Sequence, residues 1–422
     1  MLAAACHRAN PALQRVIQLM RAGRNLLDLF YEELRRTDLT QDQQRQQGDS
    51  KQERGAMNIE KATRKYETWL AKRIPLLRSD LNLKHKSMRE AVFPFLRATF
   101  YRWSQLWPKV CPTAAKAPVV LAVGDLHVEN FGTWRDIEGR LIWGINDLDE
   151  VNFMPYTIDL VRLSTSAHLA IDAAHLTLGK KDACDSILKG YRDGLVAGGR
   201  AIVLGERHHW LRELARSEAR NPFTFWEKMQ ALPTWRQPVP KSALKALARL
   251  MPEAGLKYRI AHRIAGLGSL GRERYVAIAD WRGGKIAREA KALVTSAYVW
   301  ALDGKGTSDI LYQDIIDRAV RCPDPFVQLR GRWIIRRLAP DCSRVELSSL
   351  PKEHDEVRLL YEMGWETANV HLGSKSALKA VLSDLRKRPM NWLHEASQAM
   401  AKATVEDWKE WKAAGRRAAH KR

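Results

Sequence analysis

The chain has 422 residues, of which 45% are hydrophobic and 28% are charged, a balance typical of a globular protein with a large buried core. Its formal net charge of +22 predicts attraction to polyanions such as nucleotides, phosphorylated compounds or nucleic acid, although a basic surface without a dedicated partner explains the charge equally well. No apolar run approaches the roughly 18 to 20 residues of a membrane span, which excludes a helical membrane protein. The five cysteines are dispersed without a CxxC pair, which predicts reduced thiols in a cytoplasmic protein and argues against a disulfide framework or a zinc site.

The N-terminal residues 1–56 differ from the rest of the chain. Residues 38–55 contain almost no apolar side chain, so this stretch cannot bury enough surface to offset the entropy of ordering it. The start of the chain also lacks an apolar stretch of the length found in secretory signals. We therefore expect residues 1–56 to form a disordered or loosely helical extension, and the organised part of the protein to begin at residue 57.

Beyond this point the sequence predicts three regions. Residues 57–255 are expected to form a helical lobe, residues 256–345 a small antiparallel sheet lobe, and residues 346–422 a set of helices that pack on the large lobe and end in a basic tail. Apolar residues at helical spacing predict the helices, and short β-branched runs predict the strands. The predicted helices cover residues 58–106, 159–178, 356–372 and 377 onward, and the predicted strands cover residues 119–123, 141–145, 275–279, 285–289, 296–301 and 333–335.

Two short acidic clusters stand out in the first of these regions. Residues 124–130 (GDLHVEN) and residues 146–150 (NDLDE) each follow an apolar run that predicts a buried strand. Carboxylates placed this close repel one another, and a folded chain keeps them with a cation or a proton to share. The two clusters, called here the first and second acidic loops, therefore predict a metal-binding or proton-transfer site.

The side chains of the two loops are the types that phosphoryl transfer needs. Asp125 can accept a proton from an attacking hydroxyl, and the carbonyl of Asn130 can ligate a hard cation. Asp147 supplies a carboxylate for Mg²⁺, whereas Asp149 either ligates a metal or pairs with an arginine. His127 is a second catalytic candidate, and the alternative is that it orients its loop through a backbone hydrogen bond.

A glycine-rich stretch, residues 266–271 (GLGSLG), meets the pattern G-x-G-x-x-G. In a dinucleotide-binding fold these glycines would follow a strand and open a helix, whereas here a predicted strand-turn-strand unit follows. This context favours a flap laid over nucleotide phosphates, as in protein kinases, with a plain glycine-rich turn as the alternative. In the first case Gly266, Gly268, Ser269 and Gly271 are the nucleotide-binding residues of this glycine segment.

These motifs carry a resemblance to known families. Asp125 with Asn130, followed by Asp147, resembles the catalytic loop and the metal-binding aspartate of aminoglycoside phosphotransferases and their kinase-like relatives. Over roughly residues 57–373 the chain more closely resembles the bacterial domain-of-unknown-function family 2252. The resemblance implies an α+β, two-lobed kinase-like fold and an ATP- and Mg²⁺-dependent phosphotransferase whose acceptor is unknown. The matching segments are residues 88–89, 95–97, 124–132, 146–150, 266–271, 288–290 and 335–338.

The sequence departs from the kinase pattern in two respects. In a kinase the glycine flap precedes the catalytic loop, whereas here it follows by well over a hundred residues, so we expect a permuted fold. The resembled proteins place a lysine on the strand after the flap, and this chain has Arg288 there, with Lys285 and Lys291 nearby. Arg288 is therefore the predicted phosphate ligand. Arginine does not replace lysine freely at such a position, so an inactive nucleotide-binding pseudokinase remains an alternative.

Two further functions are compatible with parts of the sequence. The net charge permits a basic module that docks on nucleic acid without favouring it, and such a module predicts binding that weakens steeply with salt. The residues Gly124 to His127 also resemble the opening motif of metallophosphoesterases. That class requires further metal ligands such as an Asn-His pair, and the chain contains no Asn-His dipeptide.

Overall fold

The computed structural model of the protein describes residues 58–205, 208–215, 221–304, 307–342 and 355–419. The predicted extension over residues 1–56 and the last residues of the basic tail lie outside them. The described part contains fourteen α-helices, and none of them combines the length and the hydropathy that crossing a membrane requires. The helices are α1 (Ile59–Ala71), α2 (Arg78–Glu90), α3 (Val92–Ala98), α4 (Phe100–Val110), α5 (Thr157–Asp172), α6 (Lys180–Ala197), α7 (His209–Ala215), α8 (Pro222–Gln230), α9 (Lys241–Arg249), α10 (Ala297–Ala301), α11 (Tyr312–Arg318), α12 (Glu356–His371), α13 (Leu378–Lys387) and α14 (Trp392–Ala419).

The strands of the described residues form three antiparallel sheets. One pairs β1 with β4, a second has the order β2-β3-β5, and the largest has the order β6-β7-β8-β10-β9. The mixed α and β composition that the sequence predicts is thus confirmed, while the two-lobed kinase-like arrangement stays a prediction. The strands are β1 (Val119–Ala122), β2 (Phe131–Arg135), β3 (Leu141–Ile145), β4 (Asn152–Pro155), β5 (Ile202–Val203), β6 (Arg259–His262), β7 (Arg274–Trp281), β8 (Gly284–Ala292), β9 (Gln328–Arg330) and β10 (Trp333–Leu338).

Helix α5 lies at the centre of the described structure and holds the acidic loops. Fourteen of its sixteen residues are buried, polar ones included. Beside it, helices α6 and α12 pack against each other at very close range. Two glycines allow this contact, because a Cβ at Gly190 would lie 1.9 Å from the carbonyl oxygen of Tyr361 and one at Gly364 would lie 2.0 Å from that of Ile187. The buried polar side chains of α5 are therefore held in a rigid frame.

The β7–β8 hairpin matches the predicted strand-turn-strand unit. Its two turn residues, Arg282 and Gly283, both have positive φ angles, as the tight turn of a two-residue hairpin requires. The predicted strand over residues 296–301 is wrong: this segment is the short helix α10, because the Ser296 hydroxyl accepts a hydrogen bond from the Tyr298 N–H and caps the first turn.

The register of the largest sheet decides which side chains can meet the acidic loops. Lys291 lies opposite Arg274 of β7, and Glu289 lies opposite Arg336 of β10. Side chains alternate between the two faces of a strand, so Lys291 and Glu289 share one face of β8. Arg288, Ala290 and Ala292 point to the other face, where the sheet packs against α9.

Candidate functional site

The two acidic loops and the glycine segment line one cleft of about 470 Å³. The first acidic loop connects β1 to β2, the second connects β3 to β4, and the glycine segment connects β6 to β7. Segments that are more than a hundred residues apart in the sequence therefore converge. The sequence-predicted residues that line the cleft are Asp125, His127, Asn130, Asp147, Asp149, Gly266, Gly268 and Ser269.

Helix α5 anchors the beginning of the first acidic loop. The carboxylate of Asp159, in the first turn of α5, accepts hydrogen bonds of 2.7 Å from the backbone N–H groups of Val123 and Gly124. The buried His371 imidazole lies 2.9 Å from the same carboxylate. Gly124 has a φ of +83°, and a Cβ there would lie 2.7 Å from the carbonyl oxygen of Glu150. Only glycine fits where the two loops pass one another.

The side chain of Asn130 fastens the two acidic loops together. Its Nδ2 donates to the carbonyl oxygens of Asp125 and Asp147, each over 3.0 Å, and its Oδ1 accepts the Asp147 N–H over 3.0 Å. Asn130 is 3% exposed, so these bonds are shielded from water. The amide fixes the spacing between the two aspartates, and its Oδ1 keeps a second lone pair.

Asp125 faces the cleft on one side and is paired on the other. Its Oδ1 accepts a hydrogen bond of 2.8 Å from Nε of Arg162 and a second, shorter one from Nη2. Arg162, on α5, is fully buried, and its guanidinium also lies over the rings of Phe100 and Trp103. Burial raises the pKa of Asp125, and the negative charge of Asp147 acts in the same direction against the opposing effect of Arg162.

Lys291 joins the two carboxylates of the second acidic loop. Its Nζ lies 2.6 Å from Oδ1 of Asp149 and 3.3 Å from Oδ1 of Asp147. The Asp147 side chain is 43% exposed, whereas those of Lys291 and Asp149 are buried. Burial and the neighbouring Asp147 charge raise the pKa of Asp149 to about 6. Lys291 and Arg336 outweigh burial at Asp147 and hold the pKa of that carboxyl well below its usual range.

Glu150, the last residue of the second acidic loop, binds the protein itself. It pairs with Nη2 of Arg272 over 2.9 Å and accepts hydrogen bonds from the Ser296 hydroxyl and the Ala297 N–H. These contacts fasten the loop to the N-terminus of α10. The Glu150 carboxylate thus holds the chain in place.

The glycine segment is attached to α2 and lies close to Asp125. Nζ of Lys84 donates to the carbonyl oxygen of Gly268 over 2.8 Å, and the backbone N–H of Leu77 donates to that of Gly271 over 2.9 Å. A Cβ at Gly268 would lie 3.4 Å from Oδ2 of Asp125. Residues Leu267–Ser269 form a single 3₁₀ turn, and Gly266 precedes it with a φ of +70°. Gly271 packs on Leu81 outside the lining of the cleft.

A cluster of three arginines around a buried glutamate forms another wall of the cleft. Glu289 is fully buried and pairs with Arg263 over 3.0 Å, with Arg274 over 2.9 Å and with Arg336 over 2.7 Å. Their charges hold the pKa of Glu289 well below its usual range. Three positive charges around one carboxylate leave an excess that faces the cleft through Arg263 and Arg336. The charged residues that stand among the alanines of β8 are the sign of this cluster in the sequence.

Two predicted residues, Arg288 and His127, are held by contacts with the protein itself. Nε of Arg288 donates to the carbonyl oxygen of Leu250, and its guanidinium lies over the Phe326 ring, on the face of β8 away from the cleft. Lys291 is the cationic residue of that strand that reaches the acidic loops. His127 is buried, and its Nδ1 accepts the backbone N–H of Glu129 over 3.2 Å, which is the loop-orienting contact named as the alternative.

Residues 76–224 match the model of a family described as "Uncharacterized protein conserved in bacteria (DUF2252)". The matched segment contains both acidic loops and helix α5, and the glycine segment lies beyond it. No curated protein and no solved structure shows a significant match to the chain.

Proposed function

We propose that the protein is an ATP- and Mg²⁺-dependent phosphotransferase that acts from this cleft on an acceptor yet to be identified. The observation that carries the proposal is the meeting of the glycine segment with the first acidic loop beside Asp125. A kinase-type site needs these parts in space and not in a given sequence order. The cleft also contains six basic and five acidic side chains, which matches a ligand that combines a cation with phosphate groups.

Asn130 and Asp147 are the groups that would hold Mg²⁺. Both offer oxygen atoms, the ligands that this ion prefers, and Asp147 is partly exposed to the cleft. The ammonium of Lys291 already lies between Asp147 and Asp149, so the pair binds a cation in the structure as it stands. Held by Asn130 and Asp147, the ion would neutralise charge on the transferred phosphoryl group.

Cationic side chains on the other walls would bind the phosphate oxygens. Arg336 projects from β10, Arg263 directly follows β6, and Lys84 reaches the glycine segment from α2. Burial lowers the pKa of Lys84 to about 8, because the charged ammonium is desolvated and Arg272 lies nearby. An incoming phosphate would favour the charged form of this lysine.

Asp125 would receive the proton of the acceptor hydroxyl. Its Oδ1 is occupied by Arg162, whereas its Oδ2 lies toward Gly268 and the cleft. Phosphoryl transfer passes through a loose transition state in most analyses, so the base mainly positions the hydroxyl and needs little basicity. Arg162 acts as the positioning residue that keeps the carboxylate aimed at the cleft.

A thermal-shift titration with ATP and Mg²⁺ tests the proposal. We expect the wild-type protein to be stabilised only when both are present, and Asp147→Asn to weaken the response at least tenfold. Asp280→Asn is the matched control, because Asp280 is exposed on β7 outside the cleft. Failure of ATP and Mg²⁺ to stabilise the wild type would contradict the proposal.

The second candidate is a nucleotide-binding protein without turnover, and the Arg162–Asp125 ion pair favours it. A buried guanidinium on one oxygen of the proposed base reduces its basicity. Incubation with labelled ATP and a panel of hydroxyl acceptors separates the two candidates. Turnover that Asp125→Asn abolishes while the thermal shift remains supports transfer, whereas a thermal shift without transfer or hydrolysis in the wild type supports the second candidate.

A further inference from the structure

A second cluster of chemically reactive side chains lies where helices α5, α6 and α14 meet. His168 of α5, Cys184 of α6 and His394 of α14 each place a nitrogen or sulfur atom within 4.8 Å of the others. Nε2 of His168 is 3.2 Å from the Cys184 sulfur. His168 and Cys184 are each 1% exposed, and His394 is partly exposed. None of the three lines the cleft described above.

The same place contains buried polar atoms without hydrogen-bond partners among the described residues. The hydroxyl groups of Ser164 and Ser397 are fully buried, lie beside the Cys184 thiol and make no hydrogen bond of ordinary geometry. Nδ1 of His394 is likewise buried and has no partner within the described part of the chain. Unsatisfied polar atoms are costly in a protein interior, and several in one place indicate a ligand that they surround.

We propose that His168, Cys184 and His394 bind one zinc ion. A set of two imidazoles and one thiolate excludes Mg²⁺ and Ca²⁺, which require oxygen ligands, and is typical of Zn²⁺. Zinc is four-coordinate, and the hydroxyl groups of Ser164 and Ser397, or a water molecule that they hold, occupy the place of the fourth ligand. Tetrahedral Zn–N and Zn–S bonds set the ligand atoms roughly 3.4–3.6 Å apart. The three ligand atoms already lie within 4.8 Å of one another, so the helices need to close by only about 1 Å.

The bonds and protons of zinc binding balance. Each of the two imidazoles donates the lone pair of one ring nitrogen, and Cys184 binds as a thiolate. Binding therefore breaks the S–H bond, forms a Zn–S bond and releases one proton to solvent for each ion. Each imidazole binds through one nitrogen and keeps its proton on the other.

Zinc at this position joins the consecutive helices α5 and α6 to α14, which lies far along the chain. Helix α5 is the helix that also carries Arg162, six residues and about 9 Å before His168. The ion thus fixes the far end of the helix that holds Asp125, without contact with the cleft. Cysteine spacing cannot indicate such a site, because each ligand comes from a different helix.

The test is zinc binding by the full-length, tag-free protein after treatment with a chelator. Equilibrium dialysis with Zn²⁺ is expected to load one ion per chain, release about one proton per ion, and raise Tm by roughly 3 °C at a hundredfold excess over Kd. Replacement of Zn²⁺ by Co²⁺ is expected to give the charge-transfer absorption of a cobalt–thiolate bond. This band identifies the sulfur ligand directly.

Cys184→Ala and His394→Ala are the informative variants. Cys184→Ala is expected to abolish the cobalt–thiolate band and the proton release, and His394→Ala to weaken binding about a hundredfold. Cys111→Ala is the matched control, since Cys111 is also buried and contacts α14 through the carbonyl oxygen of Ala396. Circular dichroism confirms that each variant folds. No bound zinc in the wild type, or an unchanged cobalt–thiolate band in Cys184→Ala, would overturn the proposal.

Discussion

Asn130 and Asp147 are joined by a pair of hydrogen bonds that runs through one side-chain amide and both backbone groups of the aspartate. The two residues are 17 positions apart in the sequence. Each of the two loops runs between the β1–β4 sheet and the β2-β3-β5 sheet, and the contact joins one loop to the other. The amide needs both its donor and its acceptor for this arrangement. The structural role of Asn130 can therefore be separated from a metal-binding role by experiment.

Asn130→Asp is expected to lower the free energy of unfolding by about 2–4 kcal/mol. The carboxylate cannot donate to the carbonyl oxygens of Asp125 and Asp147, and each buried acceptor left without a partner costs about 1–3 kcal/mol. Urea denaturation measures the change. The control is Asn221→Asp, because Asn221 is an exposed N-cap of α8 that aspartate replaces well. Equal stability of wild type and Asn130→Asp would show that the amide does not hold the loops.

Glu289→Gln is expected to destabilise the protein by about 3–5 kcal/mol at neutral pH. The substitution removes the negative charge of a fully buried carboxylate and leaves the three arginines around it without that partner. Glu227→Gln, on the exposed face of α8, is the control and is expected to change little.

The difference in the free energy of unfolding between wild type and Glu289→Gln is expected to depend on pH in one direction. The pKa of Glu289 lies well below its ordinary value of 4.5 in the folded protein, so its contribution is fully present above pH 4.5. This stabilising contribution is lost as the pH falls below 4.5, because the Glu289 carboxylate is protonated in the unfolded chain at a higher pH than in the folded protein. Denaturation curves of wild type and Glu289→Gln are therefore expected to differ by a constant amount between pH 5 and 7 and to converge at lower pH. Convergence on raising the pH would contradict this assignment.

Lys291→Met and Arg288→Met show which cationic residue of β8 contributes to nucleotide binding. Lys291 reaches both carboxylates of the second acidic loop, whereas Arg288 faces away from the cleft. We expect Lys291→Met to lose most of the thermal shift produced by ATP with Mg²⁺, and Arg288→Met to keep it. Comparing each variant with and without ligand removes any general loss of stability. The reverse result would assign phosphate binding to Arg288.

The sequence predicted the two acidic loops and the glycine segment more fully than the side of the cleft that the largest sheet forms. Asp125 and Asp147 follow apolar strands, and the glycine pattern is visible without any structure, so these segments could be recognised one at a time. Lys291 was passed over in favour of Arg288 because strand periodicity gives two faces but does not say which face meets the site. That choice depends on the pairing of β8 with β10, a contact between distant segments.

The cluster around Glu289 was hidden for a related reason. Three arginines from separate strands and loops form it, and their charges look like ordinary surface charge in the sequence. The short helix α10 was mistaken for a strand because its apolar residues fit either structure, and the deciding feature is the cap formed by Ser296. Local patterns thus predict elements, whereas pairing between distant elements decides which charges are buried together.

Gly268→Ala is expected to impair function far more than stability. Gly268 does not have a positive φ, so alanine is not strained there, but its Cβ would lie 3.0 Å from the carbonyl oxygen of Arg97 and 3.4 Å from Oδ2 of Asp125. The methyl group thus occupies the space beside the proposed base. We expect the free energy of unfolding to fall by no more than about 1 kcal/mol and turnover of ATP to fall at least tenfold. Gly284→Ala is the control, because none of the described atoms beyond its chain neighbours lies within 4 Å of a Cβ there. Equal turnover in both variants would show that the glycine segment does not approach the reacting groups.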